Sequence, residues 1–425
     1  QEQSKMETSY ATKDRKSKVP VVIYISGFLD LFGVSLVLPL IMRHAKELGA
    51  SSTVSGVLGS TYGALQLFSS PLVGKWSDRS GRHFVLLVCL FLSACSYSMF
   101  FLATSVVLLF LVRIPLGIIK HSQTISKAYL ADISRVSEQS ATFGNFNSAS
   151  SLGFIIGPVV GGHIAEAPGG FYLVGLLSGF IFFINFVLIW SCVPDVPNKA
   201  SSLHRSESSV TSLRNLASEE NNFSPSTLIS SFKLFKWEKL GDLFLIKFLL
   251  GLAVLVFRSN FSLMLLQKFD STSVTVGYVI SFNSTVSVLI GFLVGWISKY
   301  YRNNAQLVLH LSILQIVTFS TLALSPSLWI FLLAIIPFSL ATTVTRIAST
   351  GLAIERCENQ EAGILLGLQQ SSMSLARMLS PLIAGILQEV SSAGPGLMGA
   401  FCCLLAVIIM IIRPQDPEVR AKKVN

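Results

Sequence analysis

The sequence predicts an all-α membrane protein with twelve transmembrane helices in two six-helix halves. Only 13% of the residues are charged, which is about half the share found in ordinary globular proteins. Twelve long apolar runs divide the chain, and features of the first six runs recur in the last six. These observations favour an integral membrane protein over a soluble one.

The apolar runs have the length of membrane-crossing helices. Each has roughly 17 to 25 residues, enough to cross a hydrocarbon core of about 30 Å as an α-helix. The runs lack the alternating polarity of barrel strands, so helices are the structures that can satisfy their backbone groups in lipid. The runs lie at about 19–41, 52–73, 83–103, 105–126, 144–164, 172–193, 241–267, 274–297, 305–325, 327–349, 363–387 and 396–412.

The predicted organisation has five parts. They are an N-terminal tail (1–18), a first half (19–193), a linker (194–240), a second half (241–412) and a C-terminal tail (413–425). The linker is rich in Ser, Asn and charge, which is typical of segments that cannot bury a core. It ends in SFKLFKWEKLGD, where apolar residues and lysines follow the pattern of an amphipathic helix lying at the membrane interface.

The two halves carry a weak internal repeat. With a shift of 223 positions, Pro158 and Gly162 coincide with Pro381 and Gly385. This repeat predicts two halves related by an axis along the membrane normal, with a solute site between them near the midplane.

The distribution of Lys and Arg predicts that both termini are cytoplasmic. The N-terminal tail, the connection between the second and third runs, the linker and the C-terminal tail are all basic. The opposite side holds only Arg43, Lys46 and Lys268. This asymmetry follows the positive-inside rule, so the net charge of +10 needs no nucleic-acid partner. It leaves open whether the membrane is the plasma membrane or that of an organelle.

One connection holds a dense cluster of charge, GKWSDRSGR at residues 74–82. We expect a cytoplasmic loop in which Gly74 and Gly81 allow close approach and a tight turn. Asp78 can interact with an arginine or a helix N-terminus, and Arg79 and Arg82 can pair with carboxylates or helix carbonyls. Such contacts would form a conformational latch. The alternative is that the basic residues only determine topology.

Asp30 is the acidic residue that lies deepest in a predicted span. It lies about 16 Å from the start of the first helix at 1.5 Å per residue. An ionised carboxylate at that depth costs at least ~2.5 kcal/mol on insertion scales, so it must be protonated, paired or hydrated. A proton-coupling group alternates among these states. Arg113 in the fourth run has a similar predicted depth and is the expected partner, although Asp30 could instead serve in helix packing.

Two further sets of residues are candidates for the transport machinery. The fifth run contains small residues at four-residue spacing, which allow close helix packing; they are Gly153, Gly157, Pro158, Gly161 and Gly162. Polar residues within or at the ends of the apolar runs could line a substrate cavity; the candidates are His121, Gln123, Asn147, Arg258, Asn283, Gln370 and Arg377. Each of these polar residues could equally be a structural hydrogen-bonding group.

Several motifs resemble those of the major facilitator superfamily. Residues 74–82 have the form G-x-x-x-D-R-x-G-R, which resembles the signature loop of that superfamily. LDLFGVSLVLP around Asp30, RIPLG from Arg113, AYLADI and GFIIGPVVGG resemble its drug/proton antiporters of the tetracycline-resistance type. The chain is most similar to the orphan vertebrate members known as domain-containing proteins.

This resemblance has three implications. The charged loop would stabilise the outward-facing state, the helix 4 arginine would be associated with proton transfer, and the helix 5 glycines would form an antiporter-type hinge. One departure concerns the third run, where SACSY contains Ser96 and tetracycline exporters carry an acid. Recognition of a metal-chelated cation is therefore not expected.

The sequence thus predicts a secondary transporter that moves a small organic solute by alternating access, in antiport with protons. The alternatives are uncoupled facilitated diffusion and a transporter-like receptor or scaffold. No phosphate-binding loop or metal-ligand spacing is present in the sequence, so we expect neither an enzyme nor a cofactor. The expected partners are the solute, protons and the lipid bilayer, and the expected state is a monomer.

Overall fold

The computed structural model describes residues 2–135, 138–195, 237–301, 303–356 and 362–413, which form helices joined by short connections. The α-helices are α1 (Glu2–Glu47), α2 (Ser52–Ser80), α3 (Arg82–Ser98), α4 (Val106–Ile119), α5 (Ser122–Ile133), α6 (Gln139–Ala165), α7 (Gly170–Cys192), α8 (Trp237–Ser259), α9 (Phe261–Phe269), α10 (Ser273–Ser298), α11 (Asn304–Leu324), α12 (Leu328–Arg356), α13 (Ala362–Val390) and α14 (Gly394–Ile412). Most of the predicted linker and C-terminal tail, including most of the predicted amphipathic helix, lies outside the described residues.

Each of the twelve predicted runs coincides with a described helix or pair of helices. By length and composition, nine spans within the described residues can cross a membrane, and the pair α8 and α9, bent by 53°, would make a tenth. Helices α2 and α13 have 29 residues each and are also long enough, but their composition is more polar. The predicted all-α membrane architecture is therefore confirmed.

Large apolar side chains cover much of the outer surface. Phe68 and Leu72 are 72% and 70% exposed in α2, and Phe292 and Trp329 are 75% and 78% exposed in α10 and α12. Apolar exposure of this kind is unfavourable in water but natural against lipid chains. These side chains fit a helix bundle whose outer face contacts a bilayer.

The prediction of a loop at residues 74–82 is wrong. Helix α2 continues to Ser80, and Gly81 alone separates it from α3. Gly81 has a φ of +94°, a value that residues with a Cβ rarely adopt. The charged residues end the apolar part of the helix without ending the helix itself, and the ion pair of Asp78 with Arg82 joins the end of α2 to the start of α3.

The fourth predicted run is interrupted in the structure. Ser105 caps the start of α4 by accepting a hydrogen bond from the Leu108 amide at 3.3 Å. The helix then stops at Ile119, and α5 starts at Ser122. Lys120 and His121 therefore lie in a break within an apolar span and not on a continuous helix.

The chain folds into two compact units. The first comprises Gln1–Ile41 and Phe68–Ser209, and the second comprises Met42–Leu67 and Val210–Asn425. In the first unit α3 packs along α7. The rings of Tyr97 and Phe182 stack there with their centroids 4.8 Å apart.

In the second unit an aromatic cluster forms the centre of the core. The Phe257 ring lies 5.3 Å to 5.5 Å from the rings of Phe261, Phe319 and Phe338, in edge-to-face arrangements. These residues belong to α8, α9, α11 and α12, so the cluster joins four helices. Edge-to-face pairs of this kind stabilise a core by about 0.5–1.5 kcal/mol each beyond their buried area.

The first half of α2 packs closely against α13 within the second unit. A Cβ added at Gly56 would collide with the carbonyl oxygen of Pro381, and one added at Gly63 would lie 2.9 Å from that of Arg377. A Cβ added at Gly385 would lie 2.6 Å from the carbonyl oxygen of Ser52. The two helices therefore meet backbone to backbone, as small residues allow in membranes.

Candidate functional site

Asp30 is buried in α1 and faces the break between α4 and α5. Its residue surface is 2% exposed. Its Oδ1 accepts a hydrogen bond of 2.7 Å from the hydroxyl of Ser122, the first residue of α5. The carboxylate therefore lies at the N-terminal end of a helix, where partial positive charge stabilises an anion.

Lys120 and Gln123 complete the coordination of this carboxylate. The Lys120 ammonium contacts Oδ1 and also donates to the Ser122 hydroxyl at 2.8 Å. Gln123 Nε2 donates to Oδ2 at 3.0 Å and to the carbonyl of Gly27 at 3.2 Å. Both oxygens of Asp30 are thus satisfied, and the nearest charge is a buried cation. We call Asp30, Lys120, Ser122 and Gln123 the carboxylate cluster.

The surroundings of the cluster are mainly apolar. The Lys120 ammonium lies 4.5 Å from the centroid of the Phe182 ring, within range of a cation–π interaction. His121, the second residue of the break, forms a 2.8 Å hydrogen bond with Ser69. The Ser69 hydroxyl also donates to the carbonyl of Gly117. His121 therefore fixes α2 against the break, and Gln123 contacts the carboxylate directly.

The predicted pairing of Asp30 with Arg113 is wrong. Arg113 is buried in α4, but Asp30 is held by Lys120, Ser122 and Gln123. Seven residues, about 10 Å of helix, separate Arg113 from Lys120. A similar depth for the two residues would bring them together only if the fourth helix were unbroken. Because α4 stops at Ile119, the Lys120 side chain turns inward to reach α1.

Sequence reasoning missed Lys120 and Ser122, although it selected the adjacent His121 and Gln123. A signal was available, because Lys120 is a basic residue inside an apolar run, which rarely occurs without a partner. Lys120 and Asp30 lie in spans of the same half, and they could have been paired because each needs a partner of opposite charge.

Arg82 is the centre of the charged segment at residues 74–82. It forms an ion pair of 2.5 Å with Asp78 and one of 3.2 Å with Asp132 near the end of α5. Its Nη1 also donates to the hydroxyl of Ser77 at 3.3 Å. Arg82 therefore joins the ends of α2 and α5 to the start of α3. The motif AYLADI supplies Asp132, whose partner the sequence did not reveal.

The other members of this segment are more exposed. The Asp78 side chain is 54% exposed, and Arg79 is also exposed. A Cβ added at Gly74 would meet no described atom within 4 Å. The close approach expected at Gly74 is therefore absent from the described part of the chain, whereas the tight turn expected at Gly81 is present.

The small residues of α6 pack against α1. A Cβ added at Gly153 would lie 2.5 Å from the carbonyl oxygen of Phe28, and one added at Gly161 would collide with that of Leu36. Gly157 meets Phe32 and Ser35 in the same way. All five predicted residues, Gly153, Gly157, Pro158, Gly161 and Gly162, are buried. They bring α6 against the helix that carries Asp30.

The second unit contains a separate set of polar residues. Lys247 in α8 donates to Thr350 Oγ1 at 2.9 Å and to Gln369 Oε1 at 2.5 Å. Its hydrogen-bond partners are thus neutral oxygens of α12 and α13. Asn283 in α10 accepts a 2.7 Å hydrogen bond from Ser339.

Three arginines of this unit have exposed side chains within long helices. Arg258, Arg346 and Arg377 lie in α8, α12 and α13. Among the side chains that the structure describes, none accepts a hydrogen bond from their guanidinium groups or forms an ion pair with them. Of the other predicted cavity residues, Asn147 in the first unit and Gln370 in the second are also exposed.

A family model described as Major Facilitator Superfamily matches residues 23–381 and, in a second match, residues 243–425. The chain belongs to this superfamily. The family confirms the resemblance stated above for the charged segment and the motifs of the first half. It also confirms that the protein is a multi-pass membrane protein of a transporter family, with the twelve-helix major facilitator fold.

Curated relatives extend over nearly the whole chain. The chain is 27% identical over 402 residues to Multidrug resistance protein 2 of Bacillus subtilis, covering 93% of this chain and 96% of that protein. It is 23% identical over 422 residues to human Solute carrier family 67 member A1, covering 96% and 94%.

Solved structures support the same fold. The human organic anion transporter MFSD10 (TETRAN) aligns with a TM-score of 0.64 at 21% identity, covering 93% of this chain and 99% of that one. The nucleoside transporter NupG aligns with a TM-score of 0.73 at 16% identity, covering 93% and 98%. At these identities the alignments establish the fold and leave the substrate open.

Proposed function

We propose that the protein is a secondary transporter that exchanges a small organic solute for protons by alternating access, with Asp30 as the proton-binding group. The observation that carries the proposal is a buried carboxylate in a span, held by Lys120, Ser122 and Gln123. An ionisable residue inside a membrane span costs free energy, so a functional role is the first hypothesis for it.

The chemistry of the carboxylate cluster supplies a coupling mechanism. With Asp30 ionised and Lys120 protonated, the pair is neutral overall. When Asp30 takes up a proton, Lys120 becomes a buried cation without its counter-ion, which is strongly unfavourable. The Lys120 ammonium is then stabilised by water or another anion, and a movement of α1 relative to the break between α4 and α5 would admit one. Proton binding is in this way linked to a change of conformation.

The relatives are compatible with this proposal. Among them, Multidrug resistance protein 2 and Quinolone resistance protein NorA of Staphylococcus aureus are named for resistance to drugs. The solved structures include transporters of organic anions and of nucleosides. Small organic solutes are thus the common class, and we extend that class to this protein.

The charged segment fits the same cycle. In the proposed orientation, with both termini cytoplasmic, the pairs of Arg82 with Asp78 and Asp132 would lie at the cytoplasmic end of the first unit. We propose that they act as a conformational latch, formed in one global state and rearranged in the other. Arg113, buried in the same unit as Asp30, would contribute to the proton pathway without contacting Asp30 directly.

The decisive experiment uses purified protein in proteoliposomes that contain a pH-sensitive dye. A panel of labelled aromatic solutes is screened for uptake with and without a pH gradient, and solute-driven proton movement is recorded. We expect a solute gradient to move protons in the opposite direction. In Asp30→Asn this proton movement should disappear while solute exchange across the membrane continues.

Two variants control for structural damage. Asp30→Asn combined with Lys120→Met removes both charges, so neither is left buried alone, and should also exchange solute without protons. Glu166→Gln removes an exposed carboxylate of the same unit and should keep coupling intact. Unchanged proton movement in Asp30→Asn would eliminate Asp30 as the coupling group, and its absence in the wild type would favour uncoupled diffusion.

A further inference from the structure

The second unit contains cations at membrane depth that lack acidic partners. Arg346 and Arg377 lie in the interior of α12 and α13. Arg258 lies in the last turn of α8, where α8 meets α9 in the bent pair of helices. The guanidinium groups of all three contact no described acid. Lys247 is held only by the neutral oxygens of Thr350 and Gln369. Ionisable residues in spans usually pair with one another, so an unbalanced set requires an explanation.

The acids of this unit lie elsewhere. Asp242 and Glu355 lie at one end of their helices, and Glu47, Asp270 and Glu389 lie at the other. Each acid with a described side chain in this unit is thus within about two turns of a helix end. Glu355 and Glu389 already accept hydrogen bonds from Asn304 and from Thr53. Among the described residues of this unit, the middle therefore has a net positive charge that no acid of the unit neutralises.

The cations share one region of the unit. Arg258 and Arg346 are close enough to repel each other electrostatically, although they belong to different helices. The hydroxyls of Ser259 and Ser380 lie 3.2 Å apart. Arg258, the residue before Ser259, therefore lies at about the same height along the helix axes as Ser380 of α13. Arg377 precedes Ser380 by three residues, or about 4.5 Å of helix, and therefore lies near the same level.

An aromatic side chain borders the same region. Tyr62, half-buried in α2, is close enough to Arg377 to interact electrostatically. The exposed guanidinium groups are therefore flanked by α2, α8, α12 and α13. Charged side chains in spans face the bundle interior or a water-filled cavity, so these groups line a space open to a solute.

We infer that Arg258, Arg346 and Arg377 form a binding site for a small organic anion such as an aromatic carboxylate or sulfonate. Guanidinium groups suit these ligands because their planar donor pairs match two anionic oxygens. An entering anion removes the repulsion between the arginines and gains charge-assisted hydrogen bonds. This inference rests on the proposed transport function and specifies its substrate class.

The experiment is a thermal-melting assay on the purified full-length protein in neutral detergent micelles. Four probes share one ring system and differ in charge: 2-naphthoate, naphthalene-2-sulfonate, neutral 2-naphthol and the cationic 2-naphthyltrimethylammonium. We expect the two anions to raise the Tm with saturation, since a ligand of the native state stabilises it by mass action. The neutral and cationic probes should leave the Tm unchanged.

Charge-removing variants then assign the site. Arg258→Gln, Arg346→Gln and Arg377→Gln should each weaken 2-naphthoate binding by about tenfold or more, the value of one charge-assisted hydrogen bond. Lys299→Gln, which removes an exposed charge at the end of α10, should change the Kd by less than about twofold because exposed charges are screened by salt.

An anionic lipid headgroup offers similar chemistry, so competition by lipid is tested separately. Phosphatidylglycerol added to the micelles should not displace 2-naphthoate; displacement that depends on the three arginines would show that the site takes lipid and would overturn the inference. Equal stabilisation by the anionic and cationic probes would also overturn it. Because no gradient is used, binding should persist in Asp30→Asn, so failure here is distinguishable from failure of proton coupling.

Discussion

Replacing Lys120 with methionine removes the cation that contacts Asp30 but keeps a long, flexible side chain. In the wild type the Lys120 and Asp30 side chains are 6% and 3% exposed. Lys120→Met therefore leaves an ionised Asp30 buried with only the Ser122 and Gln123 hydrogen bonds. Asp30→Asn has the opposite effect, because it leaves a buried ammonium beside the Phe182 ring.

The magnitude follows from this burial. Removing one partner of a buried ion pair costs about 3–5 kcal/mol, because the remaining charge is not compensated. Replacing both partners with neutral groups is often close to neutral. We therefore expect each single variant to lose about 3 kcal/mol of unfolding free energy and the double variant to lose less than either. The resulting coupling energy is therefore more than about 3 kcal/mol, at or above the upper end for contacting residues.

The assay is a double-mutant cycle of reversible unfolding in mixed micelles, followed by far-ultraviolet circular dichroism. Lys127→Met is the matched control. This lysine lies on α5 and its ammonium is 5.8 Å from the Phe146 ring, so its loss should cost below ~1 kcal/mol. The reasoning is refuted if Lys120→Met costs no more than Lys127→Met and the effects of the two single variants simply add.

Two further predictions concern the latch and the packing of α6. Asp78→Asn should cost less than about 1 kcal/mol of stability, because the Asp78 side chain is 54% exposed, yet it should increase thiol labelling of a cysteine placed at position 74. Lys299→Gln should change that labelling much less, and equal effects would reduce the segment to a topology signal. Gly157→Val should abolish transport or folding, since a Cβ there collides with Ser35 of α1. Gly144→Val, with no described atom within 4 Å of the added Cβ, should preserve both, and similar losses in the two variants would contradict the packing argument.

The fold was largely predictable because the bilayer imposes a simple length requirement. A run such as 396–412 must be helical over nearly its whole length, and α14 spans Gly394–Ile412. Asp30 could be selected for the same reason, since a lone acid in a span is unusual whatever its neighbours are. The burial of Asp30 could therefore be predicted from one helix alone, whereas its role in proton coupling stays a prediction.

Predictions that depended on contacts between helices were weaker. Depth selected Arg113 as the partner of Asp30, but the helix continues past Pro115 and Gly117 and stops only at Ile119, so neither residue marks the position of the break. The ion pair between Arg82 and Asp132 joins residues 50 positions apart, and one sequence contains no measure of such proximity. In the same way, charge alone marked 74–82 as a loop, although charged residues are compatible with a helix that leaves the lipid.

The seam between α2 and α13 has a kinetic consequence. Where Gly56 meets Pro381 and Gly63 meets Arg377, the surfaces in contact are main chain, and main chain has no rotamers to reorganise. In the proposed transport cycle, these main-chain contacts can separate and re-form without changes of side-chain rotamer. A methyl group at Gly56 would collide with the carbonyl oxygen of Pro381 and hold the two helices apart. We therefore expect it to change the rate of the proposed transport cycle.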